Sequence, residues 1–358
     1  ARLDTVGGSE GALSNRNLII NGAMQVAQRG TSETSVSTSQ YANACDRFRL
    51  NGNNGTWTIS QDTDAPDGFS NSFKMLLTAT ETIGSTSYWA VEQKIEGQNL
   101  QGLAYGTSSA KTVTLSFYVK SNITGTYTVN LYQDDGTKNF PKTYTIDIAG
   151  TWERKTISFE GDTSTALDND NASSLRTTFF VVAGSGYNSG TPSSRVSYSN
   201  ATFAAGHTAQ VDAVNDYWQI TGVQLELGTE ATPFEHRSFG DELIRCQRYF
   251  NRYVTSGGFT AIMPSINGGT TNARCGVPLS TKLRTTPTVT ASGTNALQIR
   301  NHGSFTTLGS TSIAIGNEQQ TEPNLVLLSV TVASGLTSAG INIPYLNTNA
   351  YLDFDAEL

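Results

Sequence analysis

The chain has 358 residues, of which 37% are hydrophobic and only 15% charged, with 34 glycines and a formal net charge of −7. That length allows two or three domains. The acidic balance argues against general nucleic-acid binding, and no apolar run reaches the length needed to cross a membrane.

Residues 1–16 are small and polar, with Gly7, Gly8 and Gly11, and are expected to form an attachment arm. They lack the apolar centre of a signal peptide, so export by the general pathway is not expected. Asn17–Gln28, NLIINGAMQVAQ, reads as a strand broken by an Asn21–Gly22 turn. In YANACDRFRL, Asp46 and Arg47 stand between Cys45 and Phe48. They read as a structural pair, half buried, with Arg47 binding a carboxylate or carbonyls. Further strands are predicted at Trp57–Gln61, Phe73–Thr80, Trp89–Ile95, Thr112–Ser121, Tyr127–Gln133, Tyr144–Ile148, Trp152–Phe159 and Thr177–Val182. In TVTLSFYVKS the alternation of Val113, Leu115, Phe117 and Val119 with polar residues is the period of a half-buried strand. Short strands with turn signals between them, such as Asp134-Asp135-Gly136, predict an N-terminal jelly-roll β-sandwich over 17–235.

The last strand of that domain lies in YWQITGVQLEL, where Trp218, Ile220, Val223, Leu225 and Leu227 are apolar and a slip at Thr221-Gly222 predicts a bulge. Then the period changes. Ser238 is a good N-cap, and Asp241 and Glu242 follow in the first turn, where the helix dipole favours negative charge. Phe239, Leu243, Cys246 and Phe250, spaced four, three and four, define one face of a short linking helix over 236–250. That face packs either within the subunit or against symmetry mates. Residues 251–358 predict a C-terminal β-sandwich knob, with strands at Ala261–Ile266, Thr288–Ala291, Leu297–Arg300, Ser312–Ile315, Leu325–Val332 and Tyr351–Phe354. The fold class is all-β.

Between His236 and His302 there are eight basic residues and two acidic ones, and beyond His302 five acidic residues and no basic one. This stretch is either a solvated joint or ionic subunit contact, or a basic surface that meets an anionic glycan. The cysteines Cys45, Cys246 and Cys275 are odd in number and widely spaced, giving neither a disulfide framework nor a zinc pattern. Buried free thiols made in a reducing cytosol are expected. His207, His236 and His302 are far apart, and no nucleophile, phosphate-loop or dinucleotide motif appears. The acids Glu226, Glu230, Glu235, Asp134, Asp135, Asp168 and Asp170 read as turn carboxylates rather than the facing pair that glycoside hydrolysis needs. No catalytic residue, metal or cofactor is expected.

Glycan binding needs flat aromatic faces for sugar rings and polar groups beside them for hydroxyls. Tyr88 and Trp89 follow a polar loop, and Tyr187 and Asn188 lie in GSGYNSGTP, so these four are the candidate glycan-binding residues. Trp89 reads equally as a core strand residue. Trp152 and Trp218 alternate within strands and read as core.

NLIINGAMQ resembles the first strand of carbohydrate-binding jelly rolls of the glycanase-associated type, and WQITGVQLELGTEATPFEHR resembles their last strand. Together with Asp46-Arg47-Phe48 and RCQRYF, in that order, the motifs are similar to bacteriophage tail-fibre virion proteins over residues 17–252. The resemblance implies a non-enzymatic, homotrimeric virion fibre that adheres to host surface polysaccharide and meets other virion proteins through its N-terminal arm. It would be made in the host cytoplasm and exposed on the particle. Gln25 and Thr221 stand where such modules often hold calcium ligands, so no structural calcium is expected. Two other functions fit the same sequence: a head-fibre or decoration protein that binds no receptor, and a glycan depolymerase.

Overall fold

The computed structural model describes residues 15–255, 260–262, 264–301, 307–316 and 325–358. All but the last two residues of the expected arm, and His302, lie outside that set. The chain divides into two compact units, Ala1–Glu242 with Leu358, and Leu243–Glu357.

The first unit begins with strands β1 (Ser32–Val36), β2 (Gln40–Tyr41), β3 (Arg49–Gly52), β4 (Thr56–Asp62), β5 (Ser72–Ala79), β6 (Tyr88–Glu96) and β7 (Val113–Ser121). It continues with β8 (Gly125–Gln133), β9 (Lys138–Asn139), β10 (Pro141–Ile146), β11 (Glu153–Phe159) and β12 (Ser173–Ala183). Two four-residue helices, α1 (Ser185–Asn188) and α2 (Asn200–Phe203), flank β13 (Val196–Ser197) before β14 (Tyr217–Leu227). One sheet has the order β1-β4-β5-β14-β7-β11, and the other β13-β9-β8-β12-β6-β3-β2, with β10 on β8. The chain changes sheet at β1/β2, β3/β4, β5/β6, β6/β7, β7/β8, β10/β11, β11/β12 and β13/β14, which makes the sandwich a jelly roll rather than a pair of meanders.

The core lies between the sheets because each strand turns its alternate apolar residues inward. Phe73 and Met75 of β5, Leu115 and Phe117 of β7, Val129 of β8, Phe179 of β12 and Ile220 of β14 are all fully buried there. Trp57 of one sheet meets Trp89 of the other edge-on, with ring centroids 6.1 Å apart. Full burial of each such side chain contributes roughly 2–3 kcal/mol.

Asn17–Gln28 forms no strand, contrary to the sequence reading. β14 pairs with β5 only over Tyr217–Ile220, and its bulge, with Gly222 at φ +61°, shifts the β7 register between Thr221 and Gln224. The open side of Val223–Leu225 is taken by Asn17 and Leu18. Asn17 donates its amide to the Val223 carbonyl at 3.0 Å and accepts from Leu225 N at 3.1 Å, and Leu18 N donates to Leu225 O. The Asn21–Gly22 turn is present, with Met24 N donating to Asn21 O. Gly22 lies so close to β14 that a Cβ there would sit 2.1 Å from Val223 O.

Asp46 and Arg47 are both 1% exposed, fully rather than half buried. Arg47 donates to the Lys94 carbonyl, and Asp46 receives both the backbone and side-chain N–H of Gln28. Trp152 is a correction: it precedes β11 and is only partly buried, its indole N–H donating to Asp64 at 3.0 Å.

The linking helix is α3 (Phe239–Gln247), with Ser238 Oγ accepting from Asp241 N. Its expected face does not hold together. Phe239 is 57% exposed, Leu243 is half-buried and Cys246 is buried. Phe250 lies past the helix end, opposite Asp355 in the next strand. The aromatic pair Tyr249-Phe250 favours extended backbone, so the four-three-four spacing ran across a boundary.

The second unit holds β15 (Phe250–Val254), β16 (Thr260–Ala261), β17 (Ser265–Asn267), β18 (Asn272–Pro278) and β19 (Thr288–Ala291). They are followed by β20 (Leu297–Asn301), β21 (Thr307–Ile315), β22 (Leu325–Val332), β23 (Ile341–Leu346) and β24 (Tyr351–Asp355). β15, β24 and β19 form a small sheet. β23 pairs with both β17 and β20, so the ladder β17-β18-β22-β21-β20-β23 closes on itself. Its interior is apolar: Val277, Leu297, Ile299, Leu328, Val330, Leu352 and Phe354 are buried in one cluster. β15, β18 and β23 were not read from sequence. Gly276, Pro278 and Pro344 interrupt two of them. All three cysteines are free and buried.

Candidate functional site

Tyr88 and Trp89 are adjacent on β6, and adjacent strand residues face opposite sides of a sheet. Trp89 turns inward, is fully buried and donates its indole N–H to the Asn54 carbonyl. It cannot stack on a ligand, and the sequence reading is corrected there. Tyr88 turns outward, with Ala90 and Glu92 on the same side.

That outer face of the second sheet gathers a polar and aromatic set. The register places Arg49 and Thr178 opposite Glu92, Asn51 opposite Ala90, and Arg176 opposite Tyr132. Arg49 pairs with the buried Glu92 at 2.6 Å, and Arg176 Nε donates to Asp134 at 2.8 Å. The Arg176 guanidinium lies 4.7 Å from the Tyr132 ring centre.

At one end of this face, α1 and α2 fold back over the sheet. The loop before β6 ties to α1, with Gly184 N donating to Ser87 O and Gly186 N to Ser85 O. Ala204 N donates to Tyr187 O and joins the two short helices. Tyr187 and Tyr88, read from separate segments, meet with ring centroids 4.8 Å apart. Phe203 is the hub: its ring lies 4.9 Å from Phe180, 5.9 Å from Tyr88 and 5.8 Å from Tyr198. Tyr198 in turn meets Tyr132 edge-on at 5.9 Å. Tyr88, Tyr132 and Tyr187 are half-buried and Tyr198 is 41% exposed, so several tyrosines remain accessible around a buried phenylalanine.

Burial, with Tyr187 beside it, pushes the Tyr88 phenol up to about 12. It therefore stays protonated at neutral pH and donates to Asn51 Oδ1 at 2.8 Å. Asn188, the fourth residue read as glycan-binding, gives its amide hydrogens to the carbonyls of His207 (2.9 Å) and Ala183 (3.3 Å). It holds the α1 segment down. His207 lies beneath, 1% exposed, with Nδ1 accepting from Thr128 N and its ring edge-on to Tyr127 at 5.5 Å. Burial lowers its pKa to about 4, so it is neutral.

Phe203, Tyr198, Tyr132 and Arg176 were missed in the sequence. Only the alternation of β8 and β12 could have placed Tyr132 and Arg176 on one face, and nothing local marks α2.

Of the acids read from the sequence, Asp134 lies on this face, paired with Arg176, and others are bonded locally elsewhere. Glu226 accepts from Thr232 N and Oγ1 at 2.8 and 2.7 Å, Glu235 from Asn17 N, Asp135 from Asp168 N and Asp170 from Ala172 N. Among the described residues no group of three His, Cys, Asp or Glu is placed to hold a metal ion. A polar depression of about 820 Å³ lies apart from these groups, lined by Ser108–Thr112, Gly228 and Thr229.

The fold is that of an all-β chain whose first unit is a two-sheet jelly roll. No family model and no curated protein matches the chain. Solved structures overlap with it in part. The enzymatically active domain of tailspike protein 4 of bacteriophage CBA120 is 13% identical over 59% of this chain and 21% of its own, with a TM-score of 0.32. TmCBM61, solved with beta-1,4-galactotriose, is 9% identical over 60% of this chain and 100% of its own, at 0.31. The C-terminal family 22 carbohydrate-binding module of Clostridium thermocellum Xyn10B is 10% identical over 57% and 98%, at 0.29. The chain spans about a fifth of the tailspike domain's length.

Proposed function

We propose that the chain binds a glycan on the outer face of the second sheet, without enzymatic activity. The observation that carries this reading is the convergence of Tyr88 and Tyr187 at 4.8 Å beside the Arg49–Glu92 and Arg176–Asp134 pairs. Tyrosine rings offer a sugar its apolar face, and paired ions with amides offer fixed donors and acceptors to hydroxyls. Lys94, opposite Arg176 on the same face, adds a further cation beside the two pairs.

In its biological setting we read the chain as a virion fibre protein that adheres to host surface polysaccharide as a homotrimer, strengthened by avidity. The exposure of Phe239 (57%) at the start of α3 supports an apolar contact that a neighbouring subunit would cover. The competing reading is a structural head-fibre or decoration protein. It draws on the same cluster, since the Asn188 amide and the Tyr88 hydroxyl already have partners within the chain.

Binding of the purified protein to host cells, with and without periodate oxidation, separates the two readings. Saturable binding that oxidation abolishes and Tyr187→Ala weakens by about tenfold, with no oligosaccharide released, is expected. Unchanged binding after either treatment sinks the glycan reading. Release of oligosaccharide would sink the non-enzymatic one.

A further inference from the structure

The outer face of the first sheet carries an aromatic and polar row of its own, apart from Tyr88 and Tyr187. Trp218 and Val119 turn into the core and are fully buried, so their neighbours Tyr217, Gln219 and Lys120 turn outward. Gln219 stands opposite Lys74 of β5 on one side and Lys120 of β7 on the other. Trp152 comes one step before the Glu153–Val119 pair, which sets it next to Lys120. The row Lys74, Gln219, Lys120, Trp152 thus crosses neighbouring strands over a span of about 14 Å.

Acids at and just past the end of β4 fix both lysines: Lys74 Nζ donates to Asp62 at 3.0 Å and Lys120 Nζ to Asp64 at 2.6 Å. Asp64 also accepts the Trp152 indole N–H, and Lys120 Nζ lies 5.9 Å from the indole ring centre. Burial opposes ionisation of Asp64, but the bonds from Lys120 and Trp152 hold its carboxyl below the usual carboxylate range, so the clamp on the indole is charged at neutral pH. Lys74 Nζ lies 5.4 Å from the Tyr217 ring centre, and a Cβ on Gly150 would sit 3.7 Å from the Tyr217 hydroxyl, so that ring borders the turn leading to Trp152. Trp57, Trp89 and Trp218 are fully buried, and Trp152 is the one tryptophan that reaches solvent. It joins none of the apolar clusters of the first unit, so its fixed orientation serves no core. Gln219 is fully buried, with Nε2 donating to Ser72 Oγ at 3.3 Å, yet its Oε1 accepts no hydrogen bond among the described residues.

We propose that this row is a second glycan site, which binds a short neutral oligosaccharide laid across the strands from Trp152 toward Lys74. The indole presents its face to a pyranose ring. Each ammonium has three N–H donors and gives one to its carboxylate, which leaves the others for hydroxyls, and Gln219 Oε1 offers an acceptor. A sugar carboxylate would be set against Asp62 and Asp64, so the class is neutral. The site is on the other sheet from Tyr88 and Tyr187, and either can fail without the other.

The test follows tryptophan emission of the whole chain during titration with cellotriose, maltotriose, chitotriose and galactotriose, with mannitol as an acyclic control. A saturable blue shift with at least one trisaccharide and none with mannitol is expected. The shift should survive in Tyr187→Ala, which weakens the other face. In that background, saturation-transfer NMR should show the responding sugar weakened by about tenfold in Trp152→Ala. Lys120→Met, which keeps the stem and loses the donors, should weaken it by about fivefold. Circular dichroism and the thermal midpoint check each variant's fold; should Trp152→Ala not fold, Lys120→Met and the emission of the parent still decide. The proposal is overturned if no trisaccharide shifts the emission, if mannitol shifts it equally, or if Trp152→Ala binds as well as its background. Loss of the shift in Tyr187→Ala would also overturn it, while leaving the reading of the Tyr88–Tyr187 face intact.

Discussion

Glu242 Oε1 accepts the backbone N–H of Asn21 at 2.6 Å, across 221 residues of sequence. Arg237, 3.3 Å from the same carboxylate, donates to the carbonyls of Asn17 and Ile19, and Glu235 receives Asn17 N at 3.0 Å. The first segment of the jelly roll is thus held by side chains from the stretch leading into α3. Glu242→Ala leaves a buried N–H and a nearly buried guanidinium short of a partner. A loss of about 1–3 kcal/mol is expected, read as a shift in the denaturant midpoint. A fragment ending at residue 235 should be less stable than one ending at residue 247 for the same reason. Equal midpoints for the two fragments would refute the role given to Arg237 and Glu242.

Gly22→Ala places a methyl group 2.1 Å from the Val223 carbonyl oxygen. Backbone cannot yield as a side-chain tip can, so the turn must move off β14. Destabilisation of about 2–3 kcal/mol is expected by calorimetry. A neutral substitution would mean that the turn is not packed against Val223.

Tyr187 and Trp89 should separate binding from folding. Tyr187→Ala removes a half-buried ring and is expected to weaken glycan binding by about tenfold while changing stability modestly. Trp89→Ala opens a cavity beside Trp57 and should cost about 3–5 kcal/mol of stability. Parallel binding and melting measurements on the two variants check this. Loss of binding in step with loss of stability for Tyr187→Ala would remove it from the site.

His207 gives the first unit a pH dependence with a definite sign. Its folded pKa of about 4 lies below the ordinary 6.5. Between those values the unfolded chain takes up the proton more readily. The stability tied to neutral His207 is therefore present above about pH 6.5 and lost as pH falls toward 4, an effect on the order of 3 kcal/mol. Asp46 runs the other way: burial, against the bonds from Gln28 and the charge of Arg29, raises its pKa. Its contribution weakens as pH rises through that raised value. The readout is therefore the difference between the parent and His207→Gln at pH 7, 5.5 and 4 by chemical denaturation. A constant difference across that range would contradict the assignment.

Much of the fold could be read from the sequence where one period ran unbroken. β7, β8 and β14 fell within a residue or two of their expected ends, and the bulge at Gly222 was visible from the slip in alternation. Reading failed where partners are distant. Asn17–Leu18 looks like a strand, yet its backbone is met by the Glu235 carboxylate, the Arg237 guanidinium and the Leu225 carbonyl, while the Asn17 side-chain amide bonds the backbone of Val223 and Leu225, all 206 to 220 residues away. The candidate site was half legible for the same reason. Loop composition marked Tyr88 and Tyr187, but only the fold shows that Trp89 must face the core and that Phe203 brings the tyrosines together. The motifs NLIINGAMQ and QLELGTEATPFEHR lie mainly in the polar fastening of the chain's first segment, not on the outer face of the second sheet.

The closed ladder of the second unit has one more implication. An open sheet edge exposes unused N–H and C=O groups to which a strand from another chain can add. In the ring β17-β18-β22-β21-β20-β23 each strand has a neighbour on both sides. That wall is therefore poorly suited to strand-by-strand growth into fibrils, and copies held close together should stay separate units along it. Among the described residues of the second unit, the small sheet leaves β15 and β19 as edges, and strand addition is expected there rather than on the ring.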